Sequence, residues 1–96
     1  MRGSSKGNPN EISKHESQLQ SIYSLVLYND DHNHFQFVID SLVEVCQHHP
    51  LQAEQCAFIA HHKGKCDVKN GNLEELKMLK EELHRRGLTA AISIAN

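Results

Sequence analysis

Asn29, Asp30 and Asp31 close a short apolar run, Leu25-Val26-Leu27-Tyr28, and farther along the chain His61 follows the small residues Ala53, Cys56, Ala57 and Ala60 at helical spacing. An amide oxygen, two carboxylates and a neutral imidazole nitrogen are all hydrogen-bond acceptors. What they can jointly satisfy is a compact cation with several donors, such as an ammonium group. A wall of Ala57 and Ala60 beside an aliphatic strand would admit an apolar side chain next to that ammonium. The same residues also fit a turn whose acids only end a strand, and pattern alone leaves both readings open.

Two other chemistries are weaker. Eight histidines raise a metal reading, because His32-x-His34 and Cys46-x-His48-His49 carry imidazole and thiolate, the usual zinc ligands. No second pair at finger-like distance completes four ligands, so neither a designed metal site nor a cofactor is expected. A nucleophile set of Cys56, His61 and Asp30 is conceivable. However, positions five apart on a helix diverge by about 140°, and Cys56 belongs to the apolar face, so no enzyme is expected. Cys46, Cys56 and Cys66 are odd in number and match no disulfide framework or CxxC pattern. Reduced, mostly buried thiols follow.

These residues need elements to hold them. Residues 23–28 alternate as a mostly buried strand and stop at Asn and Asp, which favour turns. Asn33, three before Gln36, reads as a capping box opening a helix. On that helix Phe35, Val38, Ile39, Leu42, Val45 and Cys46 form one apolar stripe. Pro50 can open a second helix over 51–62, because its missing amide costs nothing there. Lys63-Gly64-Lys65 ends it, and Cys66-Asp67-Val68 predicts a short strand before a turn at 69–72. A third helix starts at an Asn72/Glu75 capping box, buries Leu73, Leu76, Leu79 and Leu83, and stops at Gly87. Glu81 with Arg85 and Glu82 with Arg86 are spaced to pair along it. A closing strand over 88–95 places Ala90, Ile92 and Ile94 on one side. The order β-α-α-β-α-β predicts a small single α+β domain over 22–96, with three helices packed on one face of a small sheet.

Ninety-six residues with 39% hydrophobic content allow one core. A net charge of -2 and a pI near 6.4 offer no basic field, so neither nucleic acid nor an anionic membrane is an expected partner. No apolar run reaches the roughly 20 residues of a membrane span, and the polar start lacks a signal-peptide block, so a cytoplasmic location is expected. Residues 1–21 are rich in Gly, Ser, Asn, Lys and Glu and predict a disordered extension.

Together, Leu27-Tyr28-Asn29-Asp30-Asp31, the helix carrying Phe35-x-Phe37-Val38-Ile39, then Ala60-His61-His62-Lys63-Gly64-Lys65 and Gly87-Leu88-Thr89-Ala90 resemble the ClpS family over roughly residues 22–94. These are adaptors of the ATP-dependent Clp protease, and their fold is similar to the C-terminal domain of the ribosomal stalk protein. The resemblance implies binding of proteins whose first residue is bulky and hydrophobic or aromatic, the bacterial N-degrons, and delivery to a hexameric Clp AAA+ ATPase. It implies that Asn29, Asp30 and His61 bind the free α-amino group and that Asp31 and Asn33 line the turn. Phe35, Val38, Ala57, Ala60 and Ala90 would wall the side-chain pocket. Glu74, Lys77 and Lys80 are the nearest candidates for ATPase docking.

The chain departs from the family where Asn33-His34-Phe35 replaces a Thr-Pro-Met/Leu run, where Ala57 replaces a bulky Met-like residue, and where Ala90 often is Leu. Phe35 fills the entrance while Ala57 and Ala90 empty the wall, so the first-residue preference stays open. The alternative is an interaction domain of the same fold without terminus recognition.

Overall fold

The structure, a computed structural model, describes residues 22–95. The extension expected over residues 1–21 lies outside them. Strand β1 (Ile22–Tyr28) leads through the acidic turn to helix α1 (Phe35–Cys46), helix α2 (Pro50–Lys63), strand β2 (Lys65–Gly71), helix α3 (Leu73–Arg85) and strand β3 (Thr89–Ala95). This is the α+β order that the sequence predicts. β1 lies in the centre of a three-stranded sheet, antiparallel to β2 and β3. Its most β-prone residues therefore occupy the most enclosed strand.

Alternation along β1 sends Leu25 and Leu27 into a core shared with Leu42 of α1, Ala53, Cys56, Ala57 and Ala60 of α2, and Leu76 and Leu83 of α3. All three helices thus cover the face of β1 that carries Leu25 and Leu27. Because α2 contributes only Ala and Cys to this face, its backbone comes close to the sheet. β3 pairs with β1 without interruption, Leu27 opposite Ala90 and Leu25 opposite Ile92.

Strand β2 runs farther than the sequence predicts. The Lys69-Asn70-Gly71 segment, expected as a turn, stays in the sheet opposite Tyr23, Ser24 and Leu25. Tertiary pairing with β1 overrides the local turn preference of Asn and Gly. The ladder accommodates this by a bulge. Leu25 faces Lys69 and Val26 faces Asp67, which leaves Val68 as the extra residue. A bulged residue has no ladder partner, and here His48 supplies one, with its Nε2 2.6 Å from the Val68 carbonyl oxygen. Since a carbonyl only accepts, Nε2 carries the proton. His48, considered from the sequence only as part of a metal-ligand pattern, is buried and occupied in closing the sheet.

Helix ends follow local rules in part. Asn72 Oδ1 accepts from the Glu75 N–H at 2.8 Å, as expected. α3 ends in bonds from Gly87 N–H to the His84 carbonyl (2.9 Å) and from Leu88 N–H to the Leu83 carbonyl (3.0 Å), with Gly87 at φ 89°. The capping box expected at Asn33 and Gln36 does not form. His34 is the N-cap of α1 and its side chain caps nothing, while Gln36 donates to Asp40. Of the two expected ion pairs, Glu82–Arg86 forms at 3.6 Å, with Arg86 also reaching Glu44 on α1 at 2.7 Å, whereas Arg85 bonds Glu82 in place of Glu81.

The three cysteines are free thiols, Cys46 and Cys56 buried and Cys66 partly so. Burial pushes the Cys46 thiol up to about 11. Burial and the neighbouring Cys56 push Cys66 up to about 12. All of this favours the protonated, unreactive form.

Candidate functional site

The turn after β1 is built by Asp30. Its Oδ1 accepts from the backbone N–H groups of His32 and Asn33, both at 2.9 Å, so the carboxylate closes the turn on itself. The Asn33 side-chain amide donates to both carboxylate oxygens, at 3.2 and 3.1 Å, and to the Gly87 carbonyl at 3.0 Å. Asn33 therefore ties the turn to the residue that ends α3. On the other side, the Asn29 N–H donates to the Gly64 carbonyl at 2.9 Å, at the C-terminal end of α2. Gly64 holds φ 97°, the left-handed conformation that lets α2 stop there. One anchor ties the acidic turn to the end of α3, the other to the C-terminal end of α2.

Between them lies a cavity of about 470 Å³. Its lining combines the polar residues Asn29, Asp30, Asp31, Asn33 and His61 with the apolar residues Phe35, Val38, Ala57, Ala60 and Leu88. Burial alone would raise the Asp30 carboxyl. The bonds from the Asn33 backbone, the Asn33 side chain and the His32 N–H, together with the charge of His32, hold it below the usual aspartate value. A fixed carboxylate results. Oδ1 takes three donors, whereas Oδ2 takes one and keeps acceptor capacity. The His61 ring stands edge-on to His62 at a centroid distance of 5.0 Å, and His62 lies against Phe58 at 4.1 Å. This aromatic row lines the cavity.

Asn29, Asp30, Asp31, Asn33, Phe35, Val38, Ala57, Ala60 and His61 thus surround one recess, and Ala90 does not. Ala90 is the second residue of β3, opposite Leu27, buried in the core, with its carbonyl 2.8 Å from His84 Nε2. Leu88 takes the wall position, because it follows directly on Gly87, to which Asn33 ties the turn. Phe58 and His62 also line the cavity and were not singled out from the sequence. Their signal was available, since residues four apart lie on one helix face and these two flank Ala57 and His61.

Glu74, Lys77 and Lys80 all lie on α3, outside this cavity. Among the described residues, no three His, Cys, Asp or Glu side chains come together as a metal-binding group. No helix among them is long and apolar enough to cross a membrane.

Comparison with known proteins identifies the family of the chain. Residues 18–91 match the family model described as ATP-dependent Clp protease adaptor protein ClpS. The chain is similar to the ATP-dependent Clp protease adapter protein ClpS of Shewanella denitrificans, with 37% identity over 68 residues, 67% of each chain. Against the protein of the same description from Pectobacterium carotovorum, identity is 32% over 75 residues, 76% of this chain and 71% of that one. Among solved structures, Agrobacterium tumefaciens ClpS2 bound to L-phenylalaninamide superposes with a TM-score of 0.69 at 20% identity, covering 78% of this chain and 98% of that one. At that identity the superposition speaks for the fold alone, but the match of the family model spans most of the chain. This chain belongs to the ClpS family of ATP-dependent Clp protease adaptor proteins.

Proposed function

We propose that the protein binds polypeptides whose first residue is bulky and hydrophobic or aromatic and delivers them to a Clp AAA+ ATPase hexamer for degradation. The observation that carries this reading is the single recess in which Asn29, Asp30 and His61 meet an apolar wall. A free α-amino group brings one positive charge and three donors to Asp30 Oδ2, the Asn29 amide oxygen and the His61 ring. The first side chain then enters between Val38, Ala57, Ala60 and Leu88. Each Å² of apolar surface removed from water there contributes about 25 cal/mol, which ranks Phe and Leu above Ala or Ser. The role is that of an adaptor, with no bond made or broken. That a family relative is solved with L-phenylalaninamide, a free amine next to a benzyl group, supports the same chemistry here.

Delivery requires a second surface, and Glu74, Lys77 and Lys80 on α3 are our candidates for it. Terminus recognition is tested by fluorescence anisotropy with peptides identical except for a first residue of Phe, Leu, Ile or Ala. Phe and Leu peptides should bind at least about tenfold more tightly than the Ala peptide, the ratio given by 1.4 kcal/mol. Equal affinity for all four would reject terminus recognition and favour an interaction domain that kept only the fold.

A further inference from the structure

Four large apolar side chains stand exposed side by side next to the recess: Phe35 at 41%, Leu51 at 58%, Phe58 at 56% and Ile59 at 40%. With Glu54 and Gln55 they line a second, shallower concavity of about 370 Å³. This shelf shares Phe35 and Phe58 with the recess, so the two surfaces are continuous. Packing does not explain it. α2 already gives Ala53, Cys56, Ala57 and Ala60 to the core, and Leu51, Phe58 and Ile59 point away from that face. Contiguous exposed apolar residues of this kind mark interaction sites.

We propose that the shelf binds a second apolar side chain of the same substrate, carried on one of the three residues that follow its first. The inference rests on the reading that the recess holds the substrate's first residue. Leu51 and Phe58 are seven residues apart, two helical turns or about 10 Å along α2. An extended peptide advances about 3.3 Å per residue, so a chain leaving the recess past Phe58 spans the shelf in about three residues. Glu54 is the one charged side chain lining the shelf, and Asp30 and Asp31 stand at the recess, so a neutral or basic segment is accepted and an acidic one repelled. The protein therefore reads a short terminal sequence, not a first residue alone.

The test is an anisotropy titration of the full chain with peptides beginning Phe-Ala-Ala-Ala, and with Leu or Glu placed at position 2, 3 or 4. It is repeated on Leu51→Ser and Ile59→Ser, two exposed positions outside the recess. We expect Leu at one of these positions to tighten binding about fivefold to tenfold and Glu there to weaken it. The gain should vanish in both variants while Phe-Ala-Ala-Ala binds them as it binds the wild type. Binding of Phe-Ala-Ala-Ala with no gain from Leu anywhere overturns the shelf and leaves terminus recognition standing. A gain that survives both substitutions overturns it too. Failure of every peptide to bind removes terminus recognition and the shelf with it. A wild-type dimer in light scattering that Leu51→Ser dissociates would assign the shelf to a second copy and overturn the proposal.

Discussion

The Asn33 side-chain amide holds both carboxylate oxygens of Asp30, at 3.2 and 3.1 Å, while the same nitrogen reaches the Gly87 carbonyl. The orientation of the acid therefore depends on a residue that touches two distant parts of the chain. Replacing Asn33 by Ala leaves the Gly87 carbonyl without its partner and Asp30 Oδ2 without its donor, while Oδ1 keeps its two backbone donors. The loss should be about 1–2 kcal/mol in stability, read by urea unfolding as a lower midpoint at unchanged slope.

Asp30 also sets a pH dependence. Its carboxyl lies below the ordinary value of 3.8 in the folded chain, so folding favours the carboxylate. That contribution is fully present above about 3.8 and disappears as pH falls through the lowered folded value. Urea unfolding from about pH 5 to pH 2.5 should show wild type losing stability more steeply than Asp30→Asn, since the amide does not titrate. Parallel curves for the two proteins would mean that Asp30 is not held by the turn.

Much of the fold could be read from local pattern. The Val/Leu/Tyr run, its Asn-Asp stop, Pro50, Gly64 and Gly87 each act within a few residues, and each marks an element boundary where expected. What escaped the sequence depends on partners far along the chain. Asn33 looked like a helix cap because Gln36 follows it, but its partner Gly87 is 54 residues away. The Asn70-Gly71 turn signal was overridden by pairing with β1, and the bulge that makes His48 necessary has no local mark. At the recess, Ala57, Ala60 and His61 were legible from helical spacing. Leu88 and Ala90 could not be told apart, because they differ only in distance from the turn that Asn33 ties to Gly87.

His48 makes a second stability prediction. Substituting Phe keeps an aromatic ring in the buried position but removes the donor to the Val68 carbonyl at the bulge. An acceptor left unpaired in the core costs about 1–3 kcal/mol. Thermal unfolding should drop accordingly, and hydrogen exchange of β2 amides should accelerate more than that of β3.

Gly64 tests the second anchor. A Cβ there would meet no atom within 4 Å, so Gly64→Ala is opposed by backbone conformation alone, at φ 97°. The cost should be about 1–2 kcal/mol, with Gly64→Asn less affected because Asn tolerates the left-handed region. Since the Gly64 carbonyl accepts from Asn29, any shift of this residue should also weaken peptide binding.

The proposed pairing of Asp30 with a free amino terminus is measured directly by a double-mutant cycle. Affinities of one Phe-initiated peptide, free and N-acetylated, are compared for wild type and Asp30→Ala. Acetylation should weaken binding to wild type by about tenfold or more and binding to Asp30→Ala far less, a coupling above about 1 kcal/mol. Equal losses on acetylation in both proteins, or none in either, would contradict the account.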